Sequence, residues 1–240
     1  MITLRKSQDR GHANHGWLDS YHSFSFSEYF DPAHMQYSVL RVINEDKVVG
    51  GTGFGMHPHR DMEIITYMLA GELRHQDSMG NGSVIAAGDV QRMTAGTGVR
   101  HSETNASADN EVHLLQIWLI PAQIGLPPSY EDKHISDTRK RNRWCLIASP
   151  DARSDSLMIH QDVELWATIL QENNALEYVL QPERCAYLHV ARGQLTLNGQ
   201  VLTAGDAAMI SAEQKLEIQA QLESELLLFD LPELADAPLQ

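Results

Sequence analysis

Two pairs of metal-binding side chains share one spacing in this sequence. His57 and His59 stand at i and i+2, and so do His101 and Glu103 further along the chain. Residues at this spacing project from the same face of an extended strand. Two such strands side by side would bring three imidazoles and one carboxylate to a common point. That is a ligand set for a divalent transition metal, and it leaves coordination positions free for a substrate.

The donor types do not select one metal. Imidazole and carboxylate suit Fe²⁺, Mn²⁺, Co²⁺, Ni²⁺, Cu²⁺ and Zn²⁺. We expect a single divalent ion, with Fe²⁺ ranked first and the other five as alternatives. The free coordination positions indicate a catalytic centre, because structural metal sites are closed by protein ligands.

The elements that must position these residues read as short strands separated by Gly, Asn, Asp and Pro. Many of them alternate apolar with polar residues, and no long window has helical periodicity. The pattern predicts an all-β protein of sandwich or barrel type. The predicted strands include residues 37–43, 62–69, 113–120, 157–160, 165–170, 186–190, 194–197 and 226–231.

A weak internal repeat divides the chain. An Ala-Gly turn at 70–71, an Asn-Gly turn at 81–82 and Ala-Gly-Asp at 87–89 recur as Gly193, 198–199 and 204–206. This predicts two copies of one β-barrel. We place an N-terminal metal-binding domain at 1–125, a linker at 126–143 and a C-terminal domain at 144–240.

The second copy has neither pair of metal ligands. His160 and His189 stand alone there, and we expect them to be core or surface residues. The C-terminal barrel is therefore predicted to be a scaffold or lid. None of the other histidines, His75 among them, has a spacing that singles it out, so we expect those to be structural or exposed.

Composition narrows the function classes. The 240 residues have a formal net charge of −14, which opposes direct binding to the phosphates of nucleic acid. The N-terminal segment lacks a signal-like apolar region, and no apolar run is long enough to span a bilayer. Cys145 and Cys185 are too few for a disulfide framework. We expect a cytoplasmic protein without membrane or nucleic-acid partners.

Six sequence blocks are recognisable as a set. The blocks are His-Gly-Trp-Leu-Asp-Ser at 15–20, Phe-Ser-Phe at 24–26, Tyr-Phe-Asp-Pro at 29–32, Leu-Arg-Val-Ile-Asn at 40–44, His-Pro-His-Arg-Asp-Met-Glu at 57–63 and Ala-Gly-Thr-Gly-Val-Arg-His-Ser-Glu at 95–103. Together they resemble the pirin family of the cupin superfamily, and most of all the bacterial pirin-like quercetin 2,3-dioxygenases. The resemblance covers nearly the whole chain, is dense in the first half and thins in the second.

The resemblance implies a bicupin, with two facing antiparallel β-barrels, few short helices and one metal in the N-terminal barrel. The family's ligands map onto His57, His59, His101 and Glu103. An alternative carboxylate stays open, because many cupins use the position of Glu63. An unbroken strand would put Glu63 on the same face as His57. We favour Glu103, with Glu63 lining the cavity or orienting a ligand imidazole.

The expected activity is that of a metal-dependent dioxygenase that cleaves a flavonol such as quercetin with O₂ and releases carbon monoxide. The flavonol 3-hydroxyl must lose a proton, and Glu103 is the one base in the ligand set, so it is the predicted catalytic residue. A second hypothesis is a non-enzymatic, redox-sensing or regulatory module that acts through a protein partner. A third is another reaction, such as isomerisation, at the same Lewis acid.

Overall fold

The computed structural model describes residues 1–234, and within that range almost all regular structure is strand. One short α-helix, α1 (Asp137–Lys140), follows the first half, and two 3-10 helices span Ser7–Asp9 and Arg153–Asp155. No helix among these residues is long and apolar enough to cross a membrane. The strands are β1 (Ile2–Arg5), β2 (Gly11–Asn14), β3 (Leu18–His22), β4 (Leu40–Val48), β5 (Gly53–His59), β6 (Glu63–Ala70), β7 (Glu72–Asp77), β8 (Gly82–Ala86), β9 (Asp89–Thr94), β10 (Val99–Asn105), β11 (Val112–Leu119), β12 (Ser129–His134), β13 (Cys145–Ser149), β14 (Leu157–Met158), β15 (Glu164–Leu170), β16 (Ala175–Val179), β17 (Arg184–Arg192), β18 (Gln194–Leu197), β19 (Gln200–Thr203), β20 (Ala207–Ile210), β21 (Lys215–Ala220) and β22 (Ser224–Pro232).

Each half pairs a seven-stranded sheet with a four-stranded sheet. In the N-terminal half the orders are β12-β9-β6-β11-β4-β3-β2 and β5-β10-β7-β8. In the C-terminal half they are β1-β20-β17-β22-β15-β13-β14 and β16-β21-β18-β19. Pairing is antiparallel apart from β13 with β14. The prediction of an all-β bicupin with few short helices is confirmed.

The central strands are buried on both faces, which explains their nearly continuous apolar sequences. In β6, Ile65 and Tyr67 point into a core shared by the two halves, whereas Met68 points into the N-terminal barrel. In β22, Phe229 joins the shared core and Leu228 fills the C-terminal barrel. The large sheets therefore pack against each other, and each barrel interior lies on the far side of its own large sheet.

Two strands cross the domain boundaries expected from the sequence. The N-terminal strand β1 pairs with β20 at the edge of the C-terminal sheet, and β12, inside the expected linker, pairs with β9. The boundaries 1–125, 126–143 and 144–240 stay a prediction, and the last six positions of the third range lie outside the described residues.

The repeated glycine turns occupy equivalent places in the two halves. Gly71 joins β6 to β7 and has a φ of 76°, and Gly193 joins β17 to β18 and has a φ of 86°. A Cβ at Gly193 would lie 2.2 Å from the Glu223 carbonyl oxygen, and one at Gly71 would lie 2.7 Å from that of Glu111. Both conformation and space require glycine. The same device thus turns the chain from the large sheet to the small sheet in each barrel.

Candidate metal centre

The two sequence pairs meet on adjacent strands of the small N-terminal sheet. Strand β10 pairs antiparallel with β5, and His101 lies directly opposite His57. The imidazole centroid of His57 is 4.5 Å from that of His101 and 4.8 Å from that of His59. Ligand atoms of the three residues all lie within 4.8 Å of one another. The structure therefore brings the three predicted histidines together.

Glu103 forms a second group of potential ligands with His101 and with His75, a histidine that the sequence did not single out. Ligand atoms of His75, His101 and Glu103 also all lie within 4.8 Å of one another. His101 is thus common to two groups of three potential ligands. The group with His57 and His59 is half-buried at those two residues, whereas His75, His101 and Glu103 are all buried.

Three neutral donors fix the Glu103 carboxylate. Gln116 Nε2 donates to Oε2 at 2.9 Å, and Gln91 Nε2 and Thr66 Oγ1 donate to Oε1 at 3.1 and 3.2 Å. The donors lie side by side across β9, β6 and β11, because Thr66 is in register with both glutamines. Such outer hydrogen bonds orient carboxylates that bind metals.

Glu63 lies on the face of β6 that points away from the His57 cluster. Arg60, Asp61 and Met62 separate β5 from β6, and Asp61 has a φ of 47°, so the strand is broken between His57 and Glu63. Glu63 is fully buried, accepts a hydrogen bond from Thr94 at 3.1 Å and lies 3.4 Å from His160. Burial raises the pKa of its carboxyl group. It does not line the cavity described below, contrary to one of our two expectations for it.

His59 and His101 offer unprotonated nitrogens near neutral pH. Burial and the neighbouring imidazoles lower the pKa of His59 to about 4 and that of His101 to about 3. His57 Nδ1 lies 2.7 Å from the Gly55 carbonyl oxygen, to which it can donate, leaving Nε2 with its lone pair. Both ring nitrogens of His101 are buried without a hydrogen-bond partner. Buried ring nitrogens without a hydrogen-bond partner, next to other imidazoles, are suited to bind a divalent metal.

A cavity of about 820 Å³ opens beside this cluster, between the two N-terminal sheets. The four predicted ligands, His57, His59, His101 and Glu103, form part of its wall. Five of the other lining residues are aromatic and stand among polar side chains that include Asn44, Asp46 and Gln116, so the space suits a flat ligand that carries polar groups. The aromatic lining residues are Trp17, Phe26, Tyr29, Phe54 and Trp118.

The cavity also holds a second buried carboxyl group that the sequence did not reveal. Asp46 of β4 is buried, and Ser20 of β3 donates a hydrogen bond to its Oδ1. Burial, followed by the charges of Glu103 and Glu45, raises the pKa of Asp46 to about 7. Asp46 has no partner at a metal-ligand spacing in the sequence. The one available signal was its alternation with Asn44, which also lines the cavity.

The fold and this cluster define a class of protein: a bicupin whose N-terminal barrel carries a histidine-rich metal centre. Residues 3–119 match the family model described as Pirin, and residues 146–231 match the one described as Quercetinase C-terminal cupin domain. The chain is 48% identical over 232 residues to a quercetin 2,3-dioxygenase of Escherichia coli (strain K12), covering 97% of this chain and 99% of that protein. The chain belongs to the pirin family.

Two further relatives agree with that membership. A pirin-like protein of Caulobacter vibrioides is 40% identical over 96% of this chain and 99% of its own length. The crystal structure of the Escherichia coli bacterial pirin YhhW in complex with nickel(II) superposes with a TM-score of 0.94 at 47% identity, covering 98% of this chain and 100% of that one.

These comparisons confirm the family, the bicupin fold and the prediction of an enzyme, an oxidoreductase of the dioxygenase class. The nickel complex of a relative and the donor cluster of this chain support a divalent metal ion as the cofactor. The Fe²⁺ preference and the alternative hypothesis of a protein partner stay predictions.

Proposed function

We propose that this protein cleaves a flavonol such as quercetin with O₂, releasing carbon monoxide, at a divalent metal held by His57, His59, His101 and Glu103. The observation that carries the proposal is the placement of this donor cluster in the wall of an aromatic-lined cavity of about 820 Å³. A flavonol is flat, aromatic and hydroxylated, which matches that wall. Relatives named quercetin 2,3-dioxygenase support the substrate class.

Different residues of the chain bind the substrate and accept its proton. A bound divalent ion would supply Lewis acidity for the deprotonated flavonol and take part in the redox chemistry with O₂. The aromatic side chains of Trp17, Phe54 and Trp118 cover the rings of the substrate and exclude water. Glu103 keeps its role as metal ligand and as acceptor of the 3-hydroxyl proton.

Asp46 adds a second acceptor to this scheme. Ser20 is the one side-chain donor that the described residues supply to its carboxyl group. Glu103, by contrast, receives three donors from the sheet. We propose that the Asp46 carboxyl group binds a hydroxyl group of the flavonol through a hydrogen bond. Fe²⁺ remains our first choice of metal, with Mn²⁺, Co²⁺, Ni²⁺, Cu²⁺ and Zn²⁺ as the alternatives.

The test is anaerobic loading with each metal, followed by quercetin and oxygen. We expect loss of flavonol absorbance together with carbon monoxide for at least one redox-active metal. The His57→Ala/His59→Ala variant should lose this turnover. Absence of turnover with Fe, Mn, Co, Ni and Cu would contradict the proposal, and so would full turnover by the double variant.

A second experiment decides which carboxylate binds the metal. We expect Glu103→Ala to lose bound metal, because it removes a buried oxygen donor of the cluster. Glu63→Ala should keep its metal, because Glu63 points away from the cavity toward Thr94 and His160. Metal content after gel filtration is the measurement. The reverse result would transfer the assignment to Glu63.

A further inference from the structure

His75 has the surroundings of a metal ligand. Its side chain is fully buried on β7, directly across from Glu103 on β10 and one row from His101. Nε2 lies 3.3 Å from Asp77 Oδ2, and Nδ1 is buried without a hydrogen-bond partner. A carboxylate on one ring nitrogen and a free lone pair on the other is the arrangement found in carboxylate–histidine–metal sites.

Neighbouring groups hold both members of this pair in place. Asn81 Nδ2 donates to Asp77 Oδ2 at 2.8 Å, and the backbone N–H of Met79 donates to Oδ1 at 2.9 Å. Tyr130 stacks on the His75 ring with a centroid separation of 4.6 Å and an angle of 23°. The imidazole is therefore fixed in orientation, which lowers the entropic cost of binding an ion.

We propose that His75 is a further metal ligand, which holds a divalent transition metal ion with His101 and Glu103 at an inner position of the same centre. The inference rests on the metal centre of the proposed function and is independent of its substrate. The three donors all lie within 4.8 Å of one another, as do those of the outer group. The outer group consists of His57, His59 and His101, and Glu103 completes it in the proposed function.

Metal ions cannot occupy both positions at once while the His101 imidazole is neutral. His101 belongs to both groups, and a neutral imidazole has one nitrogen lone pair. One ion therefore occupies the outer or the inner position. His57 and His59 line the cavity, whereas His75 does not, so the inner position is withdrawn from the substrate space. The centre can keep its ion when the outer ligands are lost.

The test uses Co²⁺ as the probe and measures bound metal and its visible absorption after gel filtration. We expect His57→Ala/His59→Ala to retain one equivalent of Co²⁺ at an affinity reduced by about 10-fold or more. The matched triple variant, which also carries His75→Leu, should retain none. Thermal unfolding of both variants checks that they are folded. A folded double variant without Co²⁺ would overturn the proposal, as would a triple variant that binds as much as the double.

A milder change to the outer group tests the proposal where the double variant does not fold. His59→Ala weakens the outer position alone, and we expect it to retain one equivalent of Co²⁺ at an affinity reduced by about 10-fold or more. Adding His75→Leu should lower that affinity further, because the inner position is then lost as well. This substitution copies Leu197, which lies opposite Ile218 in the C-terminal barrel as His75 lies opposite Glu103. Equal affinity of the two variants would overturn the inner position. Flavonol turnover does not enter either readout, so failure here is distinguishable from failure of the proposed function.

Discussion

The small sheets of the two barrels have the same strand order, but the barrel interiors carry opposite chemistry. The small sheets run β5-β10-β7-β8 and β16-β21-β18-β19, with equivalent turns between their strands. Through the cross-strand register, three buried polar side chains of the first sheet correspond to apolar side chains of the second. In order, His101, Glu103 and His75 correspond to Leu216, Ile218 and Leu197.

The large sheets repeat this difference. The residues that donate hydrogen bonds to Glu103 have apolar counterparts across the second barrel, and those counterparts are fully buried. Thr66, Gln91 and Gln116 correspond to Leu188, Ala208 and Leu228.

The same strand framework thus accepts either polar or apolar interior side chains, but the two sets of side chains stabilise it differently. Each buried Leu or Ile contributes about 1.5–3 kcal/mol by burial. Buried imidazoles and carboxylates are costly unless they are paired or bind a metal. We therefore expect the N-terminal barrel to depend on its metal for part of its stability, whereas the C-terminal barrel is self-sufficient.

The largest effect should come from the residue that both groups of ligands share. His101→Ala removes the central imidazole of the cluster, and we expect metal affinity to fall by more than about 100-fold, with loss of turnover. The matched control is Leu216→Ala, which should cost about 2–5 kcal/mol of unfolding free energy and leave metal binding intact. Metal content and thermal unfolding measure the two outcomes. A His101→Ala variant with normal metal content would contradict the metal-binding role of His101, and with it the difference between the two barrels.

Local patterns in the sequence were enough to predict the architecture and the three histidines. The repeated turns give two barrels, and the i, i+2 pairs place His57 opposite His101 once β5 and β10 are neighbours. Inner and outer faces follow from alternation within one strand. These properties depend on residues close together in the chain, which is why one sequence suffices for them.

His75 and Glu63 show where the sequence falls short. The position of His75 opposite Glu103 depends on the register between β7 and β10, which no local spacing encodes. The face of Glu63 depends on the break at Asp61, where a non-glycine residue adopts a positive φ. The sequence left the face of Glu63 open, because it did not show whether the chain between His57 and Glu63 stays extended.

The second prediction exchanges corresponding residues between the barrels. Gln116→Leu removes the donor 2.9 Å from Glu103 Oε2, and we expect metal affinity to fall about 10–100-fold. Leu228→Gln introduces a buried amide without partners, and we expect a loss of about 1–3 kcal/mol in stability with no change in metal. Chelator competition and denaturant unfolding are the measurements. Unchanged metal affinity in Gln116→Leu would show that Glu103 needs no support from the sheet.

The third prediction separates substrate binding from metal binding within the first barrel. Asp46→Asn keeps the size of the side chain but removes its charge, and we expect kcat/KM for quercetin to fall about 10-fold at unchanged metal content. Glu45→Gln is the control, because Glu45 points to the opposite face and pairs with Arg10 and His113. It should keep kcat/KM. Equal effects of the two substitutions would remove Asp46 from the substrate site.

The smallest expected effect concerns a histidine outside both barrels' interiors. His189 of β17 is buried with neither ring nitrogen hydrogen-bonded. Burial, followed by the charge of Arg10, lowers its pKa to about 4, although Glu45 and Asp206 oppose the shift and His113 adds to it. The folded state therefore binds this proton less readily than the unfolded chain, whose histidine has a pKa of about 6.5.

Stability should consequently be highest above pH 6.5 and decline as the pH falls toward 4, because only the unfolded state gains the proton in that window. At pH 6 the contribution of His189 to this decline should be less than about 1 kcal/mol. The measurement is the difference in unfolding free energy between wild type and His189→Leu as a function of pH, both with chelator present. A difference that stays constant from pH 7.5 to 5 would mean that His189 keeps its ordinary affinity for protons. Because the metal-centre histidines are common to both proteins, their titration cancels in this difference, and what remains reports on the interface between the barrels.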